Sequence, residues 1–303
     1  MSRSLRAFAR LSRLKFLLGG FLGGLFGTAM AVHARGHIDA VAYLCAQLTI
    51  TAFHLMTHYS NDYFDRASDV GAKRTAFSGG SGVLVDGSLP SRVALAAAVC
   101  SALVGCFGIG ALLVAVHAPS AALFAATMAL GAWVYSAPPI RLLARGFGEL
   151  DTALVVAILV PLCAYAAQGL PLDAWAVAST LPGAAAMFAM MLAVEYPDLV
   201  ADAAGGKRNL VIRFGTTSAA RLGIALALAV YVGAAFAVAL GAPIALALFE
   251  CGSIPLALAY GRSLAAWNGP GEGDAAKLAA RGVAFFIVVT CCGVLAYLTP
   301  LRT

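Results

Sequence analysis

Residues 92–141 read RVALAAAVCSALVGCFGIGALLVAVHAPSAALFAATMALGAWVYSAPPIR, with 48 uncharged residues between the two arginines. A transmembrane helix needs about 20 predominantly apolar residues, so this run holds two, divided at His117-Ala-Pro-Ser120. The same reading extends in both directions. Lys15 to Arg35 encloses 19 uncharged residues, and Asp39 to Asp62 encloses 22. Asp173 separates spans at 152–172 and 174–194, two more fit between Arg221 and Arg262 with a break at Gly241-Ala-Pro243, and the last covers 282–301. The spacing predicts an all-α polytopic membrane protein of about nine transmembrane helices. Composition agrees: 61% of the chain is hydrophobic and 11% charged, against about 25% charged in soluble domains. That leaves too little charge to coat a water-soluble globule, which excludes a soluble enzyme, a disordered chain and a nucleic-acid-binding domain. The seven cysteines fall mostly inside apolar runs and form no Cys-x-x-Cys pair, so they read as small hydrophobes rather than a disulfide or zinc framework.

Charge distribution sets the expected orientation, because cytoplasmic loops carry an excess of Lys and Arg. With the N-terminal Arg3, Arg6, Arg10, Arg13 and Lys15 inside, the loops near 59–92, 136–149, 195–221 and 261–281 are also inside. Together these segments hold 18 of the 20 Lys and Arg residues, leaving only Arg35 and Arg302 outside. The expected topology is N-terminus in and C-terminus out, in a cell inner membrane of bacterial type. The first apolar run has spanning length and no small-residue cleavage site, so it reads as a helix rather than a cleavable signal.

Two acidic motifs stand where spans meet the cytoplasmic side. NDYFDRASD, residues 61–69, places Asp62, Asp65 and Asp69 at i, i+3 and i+7, on one helix face with Asn61 alongside. EYPDLVAD, residues 195–202, repeats that spacing with Glu195, Asp198 and Asp202, each 133 residues after its counterpart. Lys73-Arg74 follows the first motif and Lys207-Arg208 the second. The chain therefore reads as a single transmembrane domain, 1–303, built from related halves of about 1–140 and 141–303, and repeats of this kind often place a site at their interface. Clustered carboxylates repel unless cations intervene, and all-oxygen ligands favour hard ions such as Mg²⁺, which typically binds one or two carboxylates plus substrate phosphates. Two such ions, the two Lys-Arg pairs and a diphosphate would bring the six carboxylates close to neutrality.

At these residues the chain resembles the UbiA superfamily of intramembrane prenyltransferases, with its NDxxDxxxD motif after the second helix, DxxxD motif after the sixth, and nine helices. Tyr135-Ser136, Pro138-Pro139 and Gly146-Phe-Gly-Glu149 resemble that family's stretches after the fourth helix. Residues 78–90 and 195–215 look most like the branch that prenylates 1,4-dihydroxy-2-naphthoate in menaquinone synthesis. The chain departs in Lys73-Arg-Thr-Ala-Phe77, which lacks the family's usual proline, and in the added His54 and His58.

The resemblance implies Mg²⁺-dependent transfer of a polyprenyl group from a polyprenyl diphosphate to an aromatic acceptor. Two Mg²⁺ ions would be held by Asn61, Asp62, Asp65 and Asp69 on one side and Asp198 and Asp202 on the other. Lys73, Arg74, Arg141, Lys207 and Arg208 would hold the diphosphate. Tyr135, Ser136, Glu195 and His58 are the candidates for catalysis or acceptor binding, with His58 expected to line the cavity and His54 to pack between helices. Glu149 could cap a helix or touch the acceptor, and Glu250 stands alone in the eighth span. The expected partners are a polyprenyl diphosphate, an aromatic acceptor and the lipid bilayer, with no nucleic acid. Other acceptors, including 4-hydroxybenzoate, remain open. A repeat-built transporter is the main non-enzyme alternative, but it would place acidic groups near the bilayer midplane, whereas these lie at helix ends.

Overall fold

The computed structural model describes residues 3–67, 70, 77, 80–269 and 274–299. Among them every regular element is a helix. Eight stretches are long and apolar enough to cross a bilayer. Helices α1 (Arg3–Ser12) and α2 (Leu17–Arg35) form the first of these, followed by α3 (Ala40–Asp65) and α4 (Ser91–Val114). The shorter apolar helix α5 (Pro119–Val134) stands in the place of the fourth expected span. The fifth joins α6 (Gly148–Leu154) through a π-helical turn, Val155–Leu159, to α7 (Val160–Ala167). Next come α8 (Ala174–Ala178) with α9 (Leu181–Glu195), then α10 (Leu199–Ala204), a short helix outside the spans. The last three spans are α11 (Leu210–Ala239), α12 (Ile244–Glu250) with α13 (Ile254–Ala265), and α14 (Ala275–Leu298).

The local chemistry explains where these elements begin and end. Asp39 caps α3, accepting hydrogen bonds from the Val41 and Ala42 amides, and Asn209 caps α11 through the Ile212 amide, each filling a donor the helix leaves unpaired. Proline enters α5, α9 and α13 in the first turn, where its missing N–H costs nothing. The fifth span starts at Gly148 rather than at 152, so Glu149 and Asp151 belong to the helix. A count of uncharged residues cuts them off, yet both acids can enter the span because they face protein or cavity instead of lipid.

Packing divides the molecule around a central space. One apolar cluster joins α3, α4, α5 and α7, and a second joins α6, α9, α11, α13 and α14. Helix α2 runs between them, touching α7 and α14. Its small residues allow that approach: a Cβ on Gly27 would overlap the Pro161 carbonyl, and one on Gly23 would sit 3.2 Å from the Val156 carbonyl. Substituting Gly27 would force the two backbones apart. The outward faces remain apolar, with Phe107 on α4 81% exposed and Val232 on α11 70% exposed, as a surface that contacts lipid chains requires.

Candidate active site

Between the two clusters lies a cavity of about 320 Å³. Asn61 and Asp65 from α3 meet Glu195, Asp198, Asp202, Lys207 and Asn209 at its polar end, with Arg13 and Lys15 from the junction of α1 and α2. Farther along the helices the lining becomes apolar: Ile50 and Phe53 from α3, Met128 from α5, Met187, Met190 and Met191 from α9, and Phe286 from α14. Flexible thioethers suit a surface that must fit a long, pliable hydrocarbon.

The first motif is held by many partners. Asn61 Nδ2 donates to Asp65 Oδ2 at 2.8 Å and to Ser136 Oγ at 3.0 Å. Arg141 Nη2 lies 3.8 Å from Asp65 Oδ1. Asp62, 3% exposed, turns away from the cavity lining; Arg13 pairs with it, and the Ser81 hydroxyl and amide donate to its two oxygens. The same face of α3 is fastened to α1 by Ser12, whose hydroxyl meets Tyr59 at 2.8 Å and whose carbonyl lies 3.0 Å from His58 Nδ1. Farther out, Arg10 reaches Asp86 at 3.0 Å. Hydrogen bonds from Ser88, and then Arg10, bring the Asp86 carboxyl down to about 2.

The second motif is built differently. Helix α9 ends at Glu195 and a new helix starts at Leu199, so the i, i+3, i+7 spacing does not lie along one continuous helix. Lys207 Nζ pairs with Asp202 Oδ1 at 3.0 Å, and Asn209 Nδ2 donates to Asp202 Oδ2 at 3.2 Å. Glu195 is 6% exposed, and among the described residues no donor lies within ordinary hydrogen-bond distance of its carboxylate; Glu149, the Val211 backbone and Asp202 are its nearest polar neighbours. A buried carboxylate beside two other acids is stabilised when a cation or proton joins it.

The remaining candidates separate by position. Tyr135 lines the cavity, while Ser136 is buried behind it as the partner of Asn61. His54 lines the cavity together with His58, their ring centroids 4.7 Å apart; His54 reaches the space because Gly20 on α2 leaves room beside it. Arg141 approaches Asp65 from outside the lining, and the Arg208 side chain is exposed. Asp69, Lys73 and Arg74 lie outside the described residues. Glu149 is fully buried and accepts from the Leu210 amide at 2.7 Å, capping α11. Glu250 is buried in a separate pocket of about 20 Å³. Sequence reasoning passed over Arg13, Ser81, Asn209 and Asp151. Arg13 and Asn209 had visible signals, a cation just before the first span and an amide just before a long apolar helix.

Among the described residues no three His, Cys, Asp or Glu side chains are gathered closely enough to hold a metal ion. The donors at the polar end nevertheless fit a hard divalent cation. They are carboxylate oxygens from both motifs with the Asn61 amide, and the Glu195 carboxylate, crowded by Glu149 and Asp202, is a place where a cation would be favourable.

The UbiA prenyltransferase family profile matches residues 21–298. The chain belongs to that family and is a membrane prenyltransferase. Its fold is similar to a UbiA homologue from Archaeoglobus fulgidus bound to GPP and Mg²⁺, with a TM-score of 0.68 and 17% identity, covering 98% of this chain and 100% of that one. A UbiA homologue from Aeropyrum pernix K1, in its apo form, gives 0.67 at 13% identity over 92% of this chain and 96% of that one. A structure of digeranylgeranylglyceryl phosphate synthase gives 0.65 at 14% identity over 98% and 99%. No curated protein matches the chain.

Proposed function

We propose that this prenyltransferase moves a polyprenyl group from a polyprenyl diphosphate to an aromatic acceptor, with 1,4-dihydroxy-2-naphthoate as the acceptor and menaquinone synthesis as the setting. The observation that carries the reading is one cavity with two chemistries: carboxylates from both motifs beside Lys207 and Lys15 at one end, methionine and aliphatic walls at the other. A diphosphate head and an isoprenoid tail need that arrangement. The homologues bound to GPP or DMAPP with Mg²⁺ support the donor class. The wording of residues 78–90 and 195–215 supports the naphthoate branch.

In this reading Asp65, Asp198 and Asp202, with Asn61 and Asp69, hold Mg²⁺, and two ions match two acidic motifs. When bound, the ions would neutralise charge developing on the leaving diphosphate. Lys207 and Lys15 hold diphosphate oxygens, with Arg141, Lys73, Arg74 and Arg208 contributing from the rim. The allylic C–O bond breaks and the diphosphate leaves with the electron pair. A ring carbon of the acceptor then supplies the pair for the new C–C bond and gives up its own substituent, either a proton or a carboxylate released as carbon dioxide. The Tyr135 ring faces the cavity where its π surface can stabilise the allylic cation. Glu195 is available for a proton, and His54 and His58 line the same wall. Both motifs deliver their groups to one side of the membrane, read as the cytoplasmic side.

The experiment is prenyl transfer by purified protein in liposomes, with Mg²⁺, donors of varied length, and dihydroxynaphthoate or 4-hydroxybenzoate, followed by mass spectrometry. Prenylated naphthol is expected. Product from hydroxybenzoate alone would replace the branch, and failure with every aromatic acceptor would overturn the acceptor class.

A further inference from the structure

Asp151 is an acid inside a membrane span that neither acidic motif contains. It sits one turn into the fifth span, on the cavity wall, and its carboxylate has no hydrogen-bond or ion-pair partner among the described residues. Ionisable groups at such positions are costly and face an interior space for a reason. Its neighbours share that wall. Thr152 follows it on α6, and the Tyr135 hydroxyl lies close to Thr152 and in the field of Asp151. Gly131 on α5 makes the room: a Cβ there would come within 3.0 Å of Asp151 Oδ1. Beside these three polar side chains the wall becomes apolar, with Ala132 and Met128 one and two turns before Tyr135, and Val155 one turn after Asp151.

We propose that Asp151, with Tyr135 and Thr152, is the subsite that recognises a hydroxyl group on the acceptor. A hydroxyl there can donate to the carboxylate of Asp151 and accept from Tyr135 or Thr152, while the ring carrying it lies against Met128, Ala132 and Val155. The carboxylate accepts hydrogen bonds and cannot donate, so it favours a phenol over the corresponding ether. Asp151 belongs to neither acidic motif, and because the Tyr135 hydroxyl is also in the field of Asp65, a hydroxyl held here lies toward the end of the cavity where the diphosphate would sit. This inference rests on the acceptor being a hydroxyl-bearing molecule and not on its being a naphthoate.

The test measures binding as well as turnover. Binding of 1,4-dihydroxynaphthalene and of its dimethyl ether to the full-length protein in nanodiscs is followed by intrinsic fluorescence, for wild type, Asp151→Asn and Asp151→Leu. A hydrogen bond to a charged group is worth about 1.5–3 kcal/mol, so wild type should prefer the diol by about 10- to 100-fold. Asp151→Leu should erase the preference, and Asp151→Asn, which keeps one acceptor oxygen, should retain part of it. Affinity for a prenyl diphosphate should change less than threefold in both variants, which also reports that they are folded. Equal binding of diol and ether by wild type, or an unchanged preference in Asp151→Leu, would overturn the subsite. So would an equal loss of donor and diol affinity. Because the assay needs no product, a wild type that prefers the diol yet prenylates no naphthoate would refute the proposed acceptor while upholding the subsite.

Discussion

The two acidic motifs share a spacing and differ in how it is used. In the first, α3 continues through Asp65, and its described polar groups have protein partners: Asp62 with Arg13 and Ser81, Asn61 with Asp65 and Ser136. In the second, the helix stops at Glu195 and restarts at Leu199, and the buried Glu195 carboxylate is crowded by Glu149 and Asp202. Among the described residues the first motif is a braced platform, whereas the second crowds the Glu195 carboxylate against two other acids. Equal spacing in sequence therefore does not produce equal sites. The neighbours that each helix end meets decide whether a carboxylate is structural or available.

The sharpest way to break this comparison is to remove one cavity-lining carboxylate from each motif. Asp65→Asn and Asp198→Asn should each lower Mg²⁺-dependent transfer by about 10²–10³-fold, the scale for losing one preorganised charge-stabilising group, while the proteins still elute as monodisperse species. Full activity in both would remove the two-motif site. Next in size is the brace. Arg13→Ala leaves the buried Asp62 charge alone, a change worth about 3–5 kcal/mol, so its melting temperature should fall steeply, and adding Asp62→Asn should restore much of the loss. Ser81→Ala removes a single donor from the same carboxylate and should cost about 1 kcal/mol. Glu195→Gln tests the opposite motif. With a repelled charge gone, it should melt no lower than wild type without divalent ions, and Mg²⁺ should raise its melting temperature by less. The smallest effect belongs to Asp86. Its carboxyl is held at about 2, below the value in an unfolded chain, so its clasp with Arg10 is fully formed above the usual carboxylate range and weakens only as pH falls through about 2. Between pH 5 and 8, Asp86→Asn should therefore show a small stability loss that does not vary with pH.

Much of the architecture was legible because lipid imposes simple rules: uncharged runs of spanning length, prolines at breaks, cations on one side. The rules failed locally where an acid faces protein. Asp151 ended an uncharged run and so looked like a flank, although it lies inside α6 and lines the cavity. Helical periodicity puts Asp62 and Asp65 on one face of α3, but it could not show that α1 folds back over α3 and that Arg13, just after α1, pairs with Asp62. Arg13 was counted as a topology charge because nothing in its sequence neighbourhood says which helix it will meet. Gly20 likewise carries no sign that its missing side chain lets His54 reach the cavity.

Helix α5, with 16 residues, spans about 24 Å at the usual rise per residue. Hydrocarbon cores average about 30 Å, and mismatch costs a fraction of a kcal/mol per Å. A bilayer thicker than this helix would have to thin along its flank unless the apolar turns beside it make up the length. Tyr135 and Ser136 stand at the end of that helix, where such thinning would fall. The choice of host lipid thus becomes a working parameter of the enzyme, because short-chain bilayers would fit this flank without strain and thick ones would press on the wall that carries Tyr135.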